Sequence, residues 1–210
     1  MEHDFWHERW NRNEIGFHEA EANALMVAHL GALDLDPRAR LFLPLCGKTR
    51  DIAWLLDKGY RVVGSELSET AIRQLFADLR IEPEVSEHGA LRRFTAPDID
   101  ILVGDIFDVT ADCLGPVDAV YDRAALVALP APTRELYAAH VHAITGGAPQ
   151  LLICFEYDQA VMPGPPFSVD AAEVERVHGD RYAPTPLASV TVEGGLKGKC
   201  PATETVWLLR

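Results

Sequence analysis

Positive charge is scarce in this chain of 210 residues: 19 Lys and Arg stand against 32 Asp and Glu, a formal net charge of −13. Neutralising nucleic-acid phosphates needs a clustered cationic surface, and an anionic bilayer draws on the same chemistry. Neither a nucleic acid nor a membrane is therefore expected as a partner. Cysteine is sparse as well. Cys46, Cys113, Cys154 and Cys200 are scattered without CxxC spacing, which fits reduced thiols better than a disulfide framework or a zinc site, and no metal is expected. No apolar run approaches the roughly 20 residues that span a bilayer. The segment from Met1 to Trp6 has neither a basic stretch nor an apolar core, so a signal peptide is not expected and a cytoplasmic location is.

Familiar catalytic templates are missing too. There is no Gly-x-Ser-x-Gly elbow and no Walker loop. His3 and His7 would share a helical face but have no carboxylate motif beside them. His140 and His142, if helical, point in different directions. Cys46 sits at a turn where a helix N-terminus lowers a thiol pKa, yet it has no evident partner base and reads as a loop thiol. The segment Leu43-Pro44-Leu45-Cys46-Gly47-Lys48 also lacks the second and third glycines of a dinucleotide fingerprint.

What stands there instead is informative. An apolar run, Leu41 to Leu45, ends at the Gly47 turn, and a helix-like stretch follows at once. A second run, Arg61 to Ser65, ends on Glu66, about twenty residues after the glycine. Strand, glycine turn, helix, strand, acid is the order of a nucleoside-binding crossover, in which the carboxylate accepts hydrogen bonds from both ribose hydroxyls. A proline and a cysteine replace the phosphate cradle. The expected ligand is a nucleoside without phosphates.

Around this unit the pattern predicts one α/β domain. Residues 19–33 carry Ala22, Leu25, Met26, Leu30 and Leu33 at helical spacing. Thr49 and Ser68 are placed to cap helices bearing Ile52, Leu55 and Leu56, and Ile72, Leu75, Phe76 and Leu79. Strands are expected at 91–95, 99–103, 117–121 and 150–155, with helices at 133–144 and 171–178. The Met162 to Phe167 stretch is too rich in proline for regular structure. Residues 189–193 and 203–209 alternate as an antiparallel pair. Helices between strands give a doubly wound, mainly parallel sheet.

Ligands of such sheets sit beyond the carboxyl ends of the strands. Four candidates fall there: Leu45 with Gly47, Glu66, Asp105-Ile106-Phe107, and Asp122-Arg123. Asp105 either caps a turn or serves an adenine pocket. Arg123 either pairs with Asp122 or serves a site. Trp6, Trp10 and Phe17 either pack on the core or form a lid over the ligand. Phe167 is either an apolar wall or a loop anchor.

Phe42 to Lys48, Val62 to Ser68, Ile106-Phe107-Asp108, Asp122 to Ala128 and Pro163-Gly164-Pro165-Pro166-Phe167, in that order, resemble thiopurine S-methyltransferases. Trp6, Trp10 and Gly16-Phe17-His18 match the N-terminal part of that family. The resemblance implies a class I methyltransferase fold: a Rossmann-like, seven-stranded, mostly parallel sheet with an antiparallel last strand. It further implies one domain over 1–210, with a helical lid at 1–35 on a core at 36–210. The implied cofactor is S-adenosylmethionine. By motif, Trp10, Leu45, Gly47, Glu66, Ile106, Phe107 and Arg123 face it, while Phe17, Arg123, Pro166 and Phe167 face the acceptor. Arg123 and Asp122 would orient that acceptor, with no further catalytic group required. The region from Glu193 to Thr203 is shorter than in animal relatives and lacks an arginine that helps hold a purine there. Compact bacterial members of this kind are associated with selenium and tellurium methylation. The implied partner is a small thiol, or a selenium or tellurium compound, acted on by a monomer. A nicotinamide-dependent oxidoreductase and a non-catalytic nucleoside-binding protein are the competing readings of the same topology.

Overall fold

A computed structural model of the chain describes residues 3–12 and 19–210. The short, continuously apolar strand β1 (Arg40–Leu43) lies in the middle of a nine-stranded sheet, because a strand covered by helices on both faces needs apolar residues on both. Parallel partners flank it. On one side lies β2 (Arg61–Glu66), in the register Leu43 to Gly64; on the other lies β6 (Ala119–Arg123). The hairpin of β3 (Glu84–His88) and β4 (Leu91–Ala96) leads into β5 (Ile99–Val103), which pairs parallel with β2. Beyond β6 come β7 (Gln150–Tyr157), then the antiparallel β9 (Ala202–Leu209) and β8 (Pro184–Thr191). The order β3-β4-β5-β2-β1-β6-β7-β9-β8 changes direction at β1, which is where a doubly wound sheet opens its crevice.

Helices α2 (Ala24–His29), α3 (Arg50–Asp57) and α4 (Glu69–Leu79) cover one face of the sheet. Their Met26, Ile52, Leu55, Ile72, Leu75 and Phe76 pack on Leu41, Leu43 and Ile101. The other face carries α5 (Ala111–Leu114), α6 (Ala131–Thr145) and α7 (Ala171–His178), packed on Phe42, Val63, Leu102, Val120 and Leu152. Phe42 and Leu41 are fully buried on opposite faces, and truncating either to alanine removes about 2–5 kcal/mol of packing. The first helix, α1 (His3–Asn11), precedes this core and brings a buried Trp10 onto the crevice. Among the described residues no helix is long and apolar enough to cross a membrane.

The structure corrects the sequence reading in three places. The sheet has nine strands rather than seven. The added β3 is exposed along its whole length, so it carries none of the apolar alternation that marks a strand. The helix expected over 19–33 begins only at Ala24, because the Asn23 side chain accepts from the Leu25 and Met26 amides and caps it there. A 3-10 turn over Leu30–Leu33 finishes that segment. Finally, β8 starts five residues before the expected 189. Thr49 and Ser68 cap α3 and α4 as anticipated, accepting from Asp51 N and Ala71 N.

Candidate functional site

The crevice at the carboxyl ends of β2, β1, β6 and β7 holds a cavity of about 360 Å³. Its first wall is the turn after β1. Leu45 adopts φ +49° and Gly47 φ +53°, so the chain reverses through two left-handed residues, one of them with a large side chain. Such a conformation costs a non-glycine residue about 1–3 kcal/mol and persists only where neighbours hold it. Here β2 holds it: Leu45 N donates to Ser65 Oγ (3.3 Å) and Cys46 N to Ser65 O (2.9 Å). Gly64 makes room for this approach, since a Cβ there would stand 2.8 Å from Cys46 Sγ and 2.7 Å from Ile101 Cδ1.

Glu66 closes the same wall. It is buried, and its Oε2 accepts from Gly47 N (2.8 Å) while Oε1 accepts from Ser68 N (2.8 Å). Burial pushes its carboxyl above the usual range, and the Ser68, Gly47 and Leu67 amides pull it back. Two amides therefore fix the carboxylate and leave its remaining lone pairs for hydroxyl donors on a ligand. Cys46, buried beside it, is pushed well up by that burial and then by the Glu66 charge, which makes it an inert thiol. Trp10 lies over the turn: a Cβ on Gly47 would meet its Cζ2 at 3.1 Å.

Beyond β5, Asp105 accepts from Phe107 N (3.0 Å), and Ile106 points into the cavity. Phe107 does not line it; the residue is 38% exposed and its ring tilts against His140, whose Nε2 donates to Ile106 O (2.9 Å). At the end of β6, Asp122 turns away from the cavity. It accepts from Tyr137 Oη (2.7 Å) and Leu126 N (3.0 Å), and so holds the turn through Ala124 (φ +63°) that aims Arg123 inward. Arg123 pairs with Glu19 on the cavity rim.

The proline loop supplies the far wall through Pro165 and Pro166. Tyr157 Oη donates to Pro166 O (2.6 Å), and Lys197 Nζ donates to Pro165 O (2.8 Å). Phe167 lies outside the lining. Its ring folds onto Gly164, where a Cβ would sit 2.6 Å from Phe167 Cδ1, and the Arg134 guanidinium stands 5.6 Å from its centre.

Of the residues singled out from sequence, Trp10, Leu45, Gly47, Glu66, Ile106, Arg123 and Pro166 meet in one cavity. Phe107, Phe167 and Asp122 stand behind it, and Phe17 lies outside the described residues. Sequence reasoning missed Arg9, Asp51, Tyr121, Lys197 and Glu204, which also line it. Asp51 accepts from Asn23 N (2.7 Å) and Tyr121 Oη (3.0 Å), tying α2, α3 and β6 together. One signal for Glu204 was available: it is in phase with the fully buried Val206 on its strand, an acid on an inward face. Among the described residues no cluster of side chains is arranged to hold a metal ion.

Over residues 1–195 the chain matches the family described as Thiopurine S-methyltransferase. A thiopurine S-methyltransferase of Xanthobacter autotrophicus is 57% identical over 210 residues, covering 100% of this chain and 99% of that protein. Another, of Gluconobacter oxydans, is 51% identical over 203 residues, covering 97% and 92%. Among solved structures, a SAM-dependent methyltransferase of Anabaena variabilis superposes with a TM-score of 0.65 at 16% identity, over 99% of this chain and 95% of its own. The 1,6-didemethyltoxoflavin-N1-methyltransferase of Burkholderia thailandensis, solved with its acceptor and S-adenosylhomocysteine, superposes with a TM-score of 0.64 at 17% identity, over 99% and 86%. At such identities the structural likeness concerns the fold.

Proposed function

The chain belongs to the thiopurine S-methyltransferase family, and from that premise we propose that it methylates the sulfur of heterocyclic and aromatic thiols, thiopurines among them, with S-adenosylmethionine as cofactor. Selenium and tellurium compounds extend the same acceptor class. We read the chain as a single domain, monomeric and cytoplasmic, with α1 as a lid over the cavity, while Ala24 to Leu33, expected in that lid, pack on the sheet instead.

The observation that carries the reading is Glu66: a buried carboxylate fixed by two amides in the wall of a cavity, on a crossover with no phosphate cradle. The residues present fit the cofactor on that ground. Glu66 would take the ribose hydroxyls, Ile106 would flank the adenine with Phe107 behind it, and Trp10, Leu45, Gly47 and Arg123 would hold the remainder. When bound, the cofactor supplies a methyl group already activated on a positively charged sulfonium. What remains for the protein is alignment and dryness. Apolar Leu43, Leu45, Val127 and Phe155 wall the cavity, and the Asp122 hydrogen bonds hold Arg123 in place. Arg123 and Pro166 are assigned to the acceptor side, with Phe17 expected there by motif and Phe167 standing behind Pro166. A thiol of low pKa arrives largely as thiolate, so no dedicated base is needed.

The test is methyl transfer from labelled cofactor to a panel of thiopurines, aromatic thiols, selenite and tellurite. Turnover of at least one thiol is expected, and equal failure on all would overturn the reading. Stabilisation by NAD rather than by S-adenosylhomocysteine in a thermal-shift series would favour the oxidoreductase instead.

A further inference from the structure

One carboxylate in the cavity is unsatisfied. Glu204 lies on β9, opposite Phe155 of β7 in register, and both line the cavity. Its Oε1 is buried and accepts no hydrogen bond. Buried polar atoms are nearly always paired, so an acid held this way inside a cavity calls for a donor that the chain itself does not supply.

Its neighbours define which donor. Arg123 acts on Glu204 from nearby, but it is already paired with Glu19. Asp51, which also acts on it, has its two oxygens taken by Asn23 N and Tyr121 Oη. Burial, reinforced by Glu19 and Asp51 and opposed by Arg123, raises the Glu204 carboxyl. With three carboxylates around one cation, this corner welcomes the N–H edge of a ligand rather than its anionic sulfur. Of the cavity's other cations, Lys197 and Arg9 act on each other rather than on Glu204, and Lys48 follows the Gly47 turn at the β1 end. Acidic and basic groups thus occupy separate corners.

Position assigns the corner to the acceptor. From β2, where Glu66 stands, to β9 the sheet passes through β1, β6 and β7, four spacings or roughly 19 Å. A nucleoside seated on Glu66 leaves that distance to be filled from the other side.

We propose that Glu204 selects the acceptor: its free oxygen receives a hydrogen bond from a ring N–H, so thiols on N–H-bearing heterocycles are preferred over isosteric thiols without that donor. The inference rests on the methyl-transfer reading of the same cavity, and its test is chosen to fail separately. Mercaptobenzimidazole carries the N–H, and mercaptobenzothiazole as its thiolate does not. Each is titrated calorimetrically into protein saturated with S-adenosylhomocysteine, and each is assayed for turnover. In Glu204→Ala the affinity for mercaptobenzimidazole is expected to fall roughly tenfold to hundredfold, with mercaptobenzothiazole changed less than about twofold and S-adenosylhomocysteine affinity unaltered. Should that variant unfold, near-isosteric Glu204→Gln carries the test, its preference expected to fall severalfold because a neutral amide accepts more weakly than a carboxylate. Equal loss for both thiols, or loss of S-adenosylhomocysteine affinity, overturns the proposal. Absence of turnover with a retained, Glu204-dependent binding preference overturns the methyl-transfer reading and leaves the selectivity standing.

Discussion

The two ends of the cavity are built in opposite ways. At the β2 end every group is held in advance: Glu66 is fixed by two amides, the Leu45-Gly47 turn is tied to Ser65, and Trp10 lies across it. At the β9 end Glu204 keeps a buried oxygen without a partner, and Lys197 reaches in from a glycine-bearing loop. A rigid, satisfied end suits a ligand that never changes. An end with open valences suits one supplied from outside, where selectivity comes from leaving the wrong ligand's partner unpaired.

The largest test of this contrast concerns the turn between the ends. Burial pushes the Asp122 carboxyl up from 3.8 to about 6, against hydrogen bonds from Tyr137, Leu126 and Ala125. Its folded value lies above its unfolded one, so the stability it contributes is full below 3.8 and is lost as pH rises through about 6. Wild type should therefore gain about 2–2.5 kcal/mol on Asp122→Asn between about pH 7 and about pH 4 in urea unfolding. His178, far from the cavity, has the opposite sign. Burial, then Arg181 and His142, lowers it from 6.5 to about 4, so its contribution is present above 6.5 and lost as pH falls through about 4. Against His178→Phe, wild type should lose about 3 kcal/mol over the same range. If the Asp122 difference stays flat with pH, the turn that both ends share is not held by that buried carboxyl.

Next in size is Glu66→Ala. The dissociation constant for S-adenosylhomocysteine, measured by calorimetry, should rise roughly 30- to 150-fold, about 2–3 kcal/mol. An unchanged titration would remove the premise that this end is the prebuilt one. Gly47→Ala follows. At φ +53° and 3.1 Å from Trp10 Cζ2, the added methyl should lower the unfolding free energy by about 1–2 kcal/mol, read from the urea midpoint. Smallest is Lys197→Met, expected to raise the acceptor KM about 2- to 5-fold while leaving cofactor affinity alone. Were cofactor affinity to fall instead, the division of the cavity would be wrong.

The same contrast decides what could be read from sequence. β1, β2 and the turn between them announce themselves because every residue there answers one local demand: apolar strand, left-handed glycine, terminal acid. β3 stays hidden because Glu84, Ser86 and Glu87 face solvent and only pairing with β4 makes them a strand. The start of α2 was obscured because apolar spacing runs past Asn23, whose amide bonds to Asp51 across 28 residues. Lys197 follows no motif; its reach to Pro165 depends on two loops meeting. Glu204 was legible only as a break in an apolar face, which names an oddity but not its use. Phe107 and Phe167 stand in loops that reach the cavity without lining it, because a fragment cannot reveal which way a ring turns once His140 or Gly164 offers it a seat.

The sheet also has two outer rims, and their chemistry bears on how copies of the chain behave in concentrated solution. An open edge normally templates pairing with another molecule. Here β3 presents Glu84, Glu87 and His88, so two such rims repel each other in an already acidic chain. On the other side β8 places Pro184 and Pro186 where N–H donors would be required, and breaks its own register between Pro186 and Ala188. A strand arriving from a second copy finds charge at one rim and missing donors at the other. Nine strands can thus lie side by side without inviting a tenth.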